Sequence, residues 1–238
     1  MTRRRWIADE VSGNRAALVG EHANHLIRVL RARVGQDFDI AAGDSVRHGR
    51  IASITDSRVE FELREEIPVR TTAEITLLLA IFKFDRMEWA VEKCTELGVA
   101  RIIPVIARRT DSHLATASKK RTGRWQRIAR QAAEQSRRST PPDISEPLKF
   151  ADAINLPAAQ RIVLSESEDR TRLLDILKPD AASGGIVLAI GPEGGWTADE
   201  LHSFQQAGWI SASLGDTILR AETAAIAAIA VLTSSLHP

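Results

Sequence analysis

An α/β chain built as two successive units is what the sequence predicts, on three observations. Residues 1 to about 70 carry short alternating runs, QDFDIAA, RHGRIASI and RVEFELREE, separated by Gly-Asp and Thr-Asp-Ser turn chemistry, which is the pattern of a small β-rich unit. From residue 75 the texture changes to continuous apolar runs that alternate with amphipathic stretches, the pattern of a mostly parallel sheet covered by helices on both faces. Between them, Pro68 and the polar VRTTAE stretch form the expected linker. The 238 residues, 44% apolar and 26% charged, have ordinary globular composition and suffice for a sizeable core.

Within the β-rich unit a single helix is expected around His22 to Arg33, where Leu26, Val29 and Leu30 fall at i, i+3 and i+4. In the second unit, strands are expected at ITLLLAIF (75–82), ARIIPVIA (100–107), RIVLSE (161–166) and GIVLAI (185–190). Helices are expected at 85–97, about 118–137, about 170–177, 197–207 and from about 222. Met87, Ala90, Val91, Cys94 and Leu97 give helix 85–97 its apolar stripe, and Gly98 ends it at C′. Cys94 therefore reads as a packed thiol, not a nucleophile. The last helix is apolar nearly all round and is expected to be deeply buried.

No apolar run approaches the roughly 20 residues of a membrane span, and the arginines of MTRRRWIADE are not followed by the apolar core of a signal peptide. A single cysteine excludes an intramolecular disulfide framework and a cysteine zinc cluster. A soluble, cytoplasmic protein with no membrane partner is the expectation. The six histidines are scattered without metal-ligand spacing, so no metal is expected. Net charge is only +1, yet 26 of the 32 basic residues are arginine, the side chain whose planar fork suits phosphate. A G+C-rich genome would produce the same bias; the distribution favours a nucleic-acid partner, because Lys119 to Arg138 carries eight basic residues against Glu134 alone.

Four stretches carry chemistry. GIVLAIGPEGGWTADEL (185–201) runs a buried strand into glycines around Glu193, then into the capping box Thr197-Ala198-Asp199-Glu200. Ligands of open α/β sheets sit outside the carboxyl ends of strands, and glycines let a backbone approach a ligand closely. With no Lys-Ser/Thr following, this is no P-loop, and the acid favours a cationic or hydroxyl-bearing ligand; a strained turn would look similar. SLGDTILRAETAAIAAIAVL (213–232) places Arg220, Glu222 and Thr223 at the mouth of an apolar helix. Either they face a site, or Glu222 and Thr223 are helix-start residues with Arg220 as counter-ion. DRMEWAVEKCTELGV (85–99) sets Glu92 and Glu96 one turn apart, and AEQSRR (133–138) ends the basic helix.

Together, GPEGG with T-x-x-E, LG-x-x-ILR-x-ET-A, RMEW-x-x-x-K-x-TELG, AEQSRR and the N-terminal H-x-x-x-VLR resemble the RsmE family, in the family's order and over nearly the whole chain. These are SPOUT-class, S-adenosyl-L-methionine (AdoMet)-dependent methyltransferases of uridine N3 in 16S ribosomal RNA. The resemblance implies a PUA-like β-barrel RNA-binding domain over residues 1–70. It further implies a SPOUT α/β domain over 71–238 with a deep trefoil knot, where simple topology rules would give an open doubly wound sheet. A homodimer acting on 16S rRNA or the 30S subunit is implied, with S-adenosylhomocysteine as product. By the same resemblance Gly191, Pro192, Glu193, Gly194, Gly195, Leu214, Gly215, Ile218, Leu219 and Arg220 match the cofactor-binding motifs, with Glu193 either accepting from a ribose hydroxyl or bracing its loop from outside. Arg220 or Arg5 is the candidate donor to the uracil oxygens, and Glu96 or Glu222 the candidate base. RNA contact is expected from Arg5, Arg28, Arg31, Arg86, Arg137 and Arg138. The chain departs from the family pattern at Phe84, where many relatives have glycine, and in lacking tyrosine. A non-catalytic ribosome-assembly module and a SPOUT ribose 2′-O-methyltransferase are the competing readings; the intact GPEGG and LRAET disfavour the first, and the TELG and EQSRR motifs the second.

Overall fold

The computed structural model describes residues 5–43, 45–68, 74–177 and 184–236. They fall into two compact units, one from Met1–Thr71 with Arg130–Pro141, the other from Thr72–Ala129 with Pro142–Pro238. The expected linker at VRTTAE lies outside the described residues, apart from Glu74.

The first unit is a six-stranded sheet in the order β1-β4-β5-β6-β3-β2. Its strands are β1 (Arg5–Ile7), β2 (Glu10–Ser12), β3 (Arg15–Val19), β4 (Asp37–Ala42), β5 (Ser45–Thr55) and β6 (Arg58–Ile67). Pairing is antiparallel except between β1 and β4. Strand alternation sends Trp6, Leu18, Ile40, Ile51, Val59, Phe61 and Leu63 into one core. Gly49, at a register shift of β5 against β6, leaves room for Ile40; a Cβ there would stand 2.5 Å from Ile40 Cγ1.

The expected helix over 22–33 is instead α1 (Gly20–Asn24) running into a π-helix, His25–Val29. The Leu30 amide reaches back five residues to the His25 carbonyl at 3.2 Å, and Arg31 takes φ 51°. A π turn needs more residues per revolution, so the i, i+3, i+4 stripe loses its phase: Leu26 is buried, while Val29 is 66% and Leu30 40% exposed. Residues 130–141 add a polar cluster to this unit. Arg130 donates to the Ile7 carbonyl and to Asp9 Oδ1, both at 2.8 Å, and His22 Nδ1 lies 3.0 Å from the same Asp9 oxygen.

The second unit is a seven-stranded, all-parallel sheet in the order β10-β8-β7-β12-β11-β13, with β9 beside β8. Its strands are β7 (Ile75–Ala80), β8 (Arg101–Ile106), β9 (Asp143–Ile144), β10 (Leu148–Lys149), β11 (Gln160–Leu164), β12 (Ile186–Ile190) and β13 (Ile210–Ala212). Both faces are covered. Leu77, Leu79, Ile186, Leu188 and Ile190 face α2 (Phe84–Glu96), Trp125 of α4 (Thr122–Gln135) and α7 (Ala221–Leu236). Leu78, Ala80, Val187 and Ala189 face Ala153 of α5 (Phe150–Ala153), Phe204 of α6 (Ala198–Gln206), and Trp196 and Trp209.

Three expectations need correction. The helix over 118–137 begins earlier and in pieces, as α3 (Ser112–Ser118), a 3₁₀ turn (Lys119–Arg121) and α4, and closes on Arg137 at φ 61°. The helix expected at 170–177 is a bridge from Arg172 to Ser213 and a 3₁₀ turn, Leu173–Ile176. Leu173 is buried in the core with Ile176 packed against it, whereas Leu174 is 62% exposed. The last helix is buried on one face only, through Ala225, Ala228, Ile229 and Leu232, whereas Ile226, Ala227, Ala230 and Val231 stay half-open. Helix α2 keeps its expected stripe, with Met87, Ala90, Val91 and Cys94 buried and Gly98 at φ 104°.

Candidate functional site

Strands β8 and β10 continue outward from β7 on one side, and β11 and then β13 continue outward from β12 on the other, so the order of connection reverses between β7 and β12. Ligands bind outside the carboxyl ends of strands at such a reversal. A cavity of about 500 Å³ opens there, lined by residues 164–167 at the end of β11, 190–193 with Gly195 and Trp196 at the end of β12, 213–221 after β13, and Arg86 of α2. A cofactor-sized pocket spans roughly 300–1,000 Å³.

The loop after β12 is a tight turn, with the Gly195 amide donating to the Pro192 carbonyl at 2.8 Å. Its glycines have separate reasons. A Cβ on Gly191 would come within 3.2 Å of Trp196 Nε1, so the strand end can lie against the indole only without a side chain. Gly195 has φ +70°, and a Cβ there would sit 2.6 Å from Glu166 Oε1. The Gly194 carbonyl accepts from Arg109 Nη1, which holds the loop from outside; Gly194 is not in the cavity lining. The capping box of α6 is complete: Glu200 takes the Thr197 amide at 2.9 Å, and the Thr197 hydroxyl takes the Glu200 amide at 3.2 Å. The other Glu200 oxygen accepts from the Arg108 amide at 2.7 Å, tying α6 to the loop after β8.

Leu214, Gly215, Ile218, Leu219 and Arg220 all line the cavity, with Ile218 81% exposed at its rim. The Arg220 carbonyl accepts from Ala224 and opens α7, while the Arg220 side chain is exposed. Glu222 is buried, and its cation is not Arg220 as the counter-ion reading had it. It is Arg86, whose Nε lies 3.8 Å from Glu222 Oε1 and whose Nη1 donates to Glu193 Oε1 at 2.8 Å. No hydrogen-bond donor among the described residues reaches Glu222 Oε2. In this arrangement Glu193 braces its loop against α2.

Other expected residues lie elsewhere. Glu96, at the far end of α2 from Arg86, pairs with Lys93 at 2.8 Å and does not line the cavity. Arg5 belongs to the first unit; it donates through Nη1 to the Arg137 carbonyl, and burial holds its guanidinium below the usual arginine range. Arg28, Arg31 and Arg137 are exposed in that unit, and burial likewise depresses Arg138. The basic run is partly consumed internally: Lys119 pairs with Glu146, Arg121 and Arg124 with Glu88, and Arg130 with Asp9. Phe84 packs edge-on against Trp125 at 6.0 Å under the Arg121 guanidinium at 4.8 Å, which accounts for an aromatic at that position. Among the described residues no group of three His, Cys, Asp or Glu could hold a metal.

The sequence reading missed Ser165, Glu166, Ser167 and Trp196 in the lining, and the Arg172–Asp216 pair at 2.8 Å beside it. The signal for Glu166 was present, since it closes the run RIVLSE at a strand's carboxyl end. Only the pairing of β11 with β12 brings that end to Gly195.

Comparison with known proteins accords with this geometry. The family model described as RNA methyltransferase domain matches residues 69–233. The ribosomal RNA small subunit methyltransferase E of Synechocystis is 32% identical over 226 residues, covering 90% of this chain and 71% of that one. Its counterpart from Mycobacterium tuberculosis is 33% identical over 240 residues, covering 94% and 88%. Among solved structures, a ribosomal RNA small subunit methyltransferase E from Neisseria gonorrhoeae bound to S-adenosyl methionine superposes with a TM-score of 0.86 at 31% identity, over 98% of both chains. A methyltransferase from Legionella pneumophila in complex with the same cofactor gives 0.86 at 27% identity, covering 99% and 98%. A mixed α/β architecture with a glycine-walled cavity at its strand reversal, matched in sequence along nearly its whole length, places this chain in the ribosomal RNA small subunit methyltransferase E family.

Proposed function

We propose that this protein is an AdoMet-dependent methyltransferase that methylates N3 of one uridine in 16S rRNA, within the 30S subunit. The observation that carries the reading is the cavity formed jointly by Gly191, Pro192, Glu193 and Gly195 with Leu214–Arg220. Its chemistry fits a zwitterionic nucleoside with an extra positive charge: apolar walls from Ile190, Leu214 and Leu219 for an adenine, backbone amides and carbonyls at the glycines, and the carboxylates of Glu166 and Glu193 at the lining. AdoMet supplies an electrophilic methyl group on sulfur.

The chain's own residues must do the rest. Uracil N3 carries a proton and is a poor nucleophile at neutral pH, so that proton has to leave as the N–CH₃ bond forms and the C–S bond breaks, giving S-adenosylhomocysteine and 3-methyluridine. Glu222 suits the base better than Glu96, because it stands among the lining residues Arg220, Ala221 and Ala224 with Oε2 reached by no donor among the described residues, whereas Glu96 lies at the far end of α2. Arg220, exposed at the cavity mouth, suits the donor that stabilises charge on a uracil oxygen. In-line placement of N3 accounts for a further large share of the barrier. Arg5, Arg28, Arg31, Arg137 and Arg138 are assigned to the RNA backbone, where such contacts position without reading sequence. The uridine is extruded from its stack to react.

The finer fold assignment belongs to the same reading: a PUA-like barrel over residues 1–70, a deep trefoil knot within 71–238, and a homodimer. The six-stranded sheet supports the first. The half-open apolar side of α7, with Ile226 and Val231, supports pairing with a second copy. A cytoplasmic location goes with the rRNA substrate; no described helix is long and apolar enough to cross a membrane.

The test is methyl transfer from labelled AdoMet to 30S subunits lacking the modification, with naked 16S rRNA in parallel, followed by digestion to nucleosides. Label in 3-methyluridine at a single 16S site is expected from 30S. Label on a ribose, or none on either substrate, overturns the assignment.

A further inference from the structure

Arg86 was expected, on the family resemblance, to touch RNA. Its surroundings point elsewhere. The guanidinium lies between two carboxylates from separate stretches of the chain: Glu193 Oε1 at 2.8 Å in the loop after β12, and Glu222 Oε1 at 3.8 Å in the first turn of α7. Arg86 itself stands in the first turn of α2 and lines the cavity. One cation thus joins three elements, and two of them carry the sequences that wall the cavity. The two acids differ in what they need. Glu193 is 37% exposed and has water as an alternative partner, whereas Glu222 is 4% exposed with Oε2 reached by no donor among the described residues. A buried carboxylate robbed of its cation is strongly unfavourable, so Arg86 is committed to Glu222 and uses its outer nitrogen on Glu193.

We propose that Arg86 is a positioning residue of the cofactor site: by bridging Glu222 and Glu193 it holds the Gly191–Gly195 loop against the mouth of α7, and it is not a contact to RNA phosphate. This rests on the AdoMet reading of the cavity. The bridge sets the separation of the two loops that must close on one ligand. Without it, the Pro192–Gly195 turn keeps the Gly194–Arg109 contact on its outer side but loses its tie on the cavity side. A lysine replaces it only in part, because its single ammonium lacks the planar fork whose separate nitrogens, Nη1 and Nε, here face the two carboxylates.

The measurements are AdoMet affinity by calorimetry, melting temperature, and the salt dependence of 30S binding, on the full chain. Arg86→Ala is expected to weaken AdoMet about tenfold or more, as loss of a charge-assisted contact implies, and Arg86→Lys to recover only some of it. Arg86→Ala also leaves Glu222 buried without a cation, so its melting temperature falls. In Arg86→Ala/Glu222→Gln that penalty is removed and the melting temperature recovers, while AdoMet stays weak because Glu193 is still untethered. Glu193→Ala is expected to weaken AdoMet by a similar factor and to add little on top of Arg86→Ala. Recovery of AdoMet affinity together with stability in the double variant would reduce Arg86 to a structural ion pair and overturn the proposal. So would unchanged AdoMet affinity with a salt slope lowered by about one, the signature of a lost phosphate contact. A wild-type protein that binds no AdoMet overturns the cofactor reading itself, and this inference with it.

Discussion

Gly195→Ala isolates what the loop after β12 does for the cavity. The perturbation is twofold. The residue sits at φ +70°, and an L-residue in that region costs roughly 1–2 kcal/mol. The new Cβ would also stand 2.6 Å from Glu166 Oε1 and 3.1 Å from its Cδ. Glu166 is exposed, so its carboxylate swings away at little cost to stability; but it lines the cavity, and its displacement removes a carboxylate from the lining. For a unit of this size roughly 1 kcal/mol moves the melting temperature by about 2–4 °C, so a loss of about 2–8 °C is expected. A displaced charge-assisted contact is worth about 1.5–3 kcal/mol, which predicts AdoMet binding weaker by one to two orders of magnitude. Gly208→Ala is the control. It has φ +77° in the same unit, its Cβ would meet only Arg161 Nη2 at 3.4 Å, and it is outside the cavity lining. Calorimetric titration with AdoMet and thermal melts of both variants decide the matter. The reasoning is refuted if Gly195→Ala binds AdoMet within twofold of wild type, or if Gly208→Ala weakens it as much.

Three further outcomes are expected. Thr197→Ala removes one half of the α6 capping box and should cost about 1 kcal/mol; Glu200→Ala should cost more in a denaturant melt, because it also strips the acceptor from the Arg108 amide. Burial pushes the Cys94 thiol up to about 12, so iodoacetamide at pH 8 should label it only after denaturation, and rapid native labelling would contradict the packing. Burial also raises Glu134 above the usual carboxylate range, against the opposing pull of His22, Arg130 and the Ile7 amide. A raised native pKa favours folding below the unfolded carboxyl value and loses that contribution as pH climbs through the native value. Glu134→Gln should therefore gain stability relative to wild type between pH 4 and neutrality, and a difference that stays flat with pH would count against it.

Much of this protein was legible in its sequence because the signals were local. Alternating runs marked β4, β5 and β6, the stripe Met87–Cys94 with Gly98 marked α2, and Thr197-x-x-Glu200 marked the start of α6, each depending on side chains within one or two turns. The glycine loop and the LRAET segment were visible as candidate cavity walls for the same reason. What went wrong was also physical. The π-helix at His25–Val29 shifted a stripe that assumed 3.6 residues per turn, and Leu173–Ile176 is too short and too near the sheet edge to continue as a helix.

Residue type and spacing were enough for the α/β class, for the strand ends that carry glycine and acid, and for the family motifs, since each of these is written along the chain. Which charges meet was settled only once the chain was folded. Arg86, Glu193 and Glu222 are separated by up to 136 positions, and nothing in their local spacing singles out Arg86 over Arg220 as the partner of Glu222. That choice follows from the packing of α7 on α2, while the parallel pairing of β12 with β7 brings the Glu193 loop to the same helix, and the buried carboxylate is left a single cation within reach among the described residues.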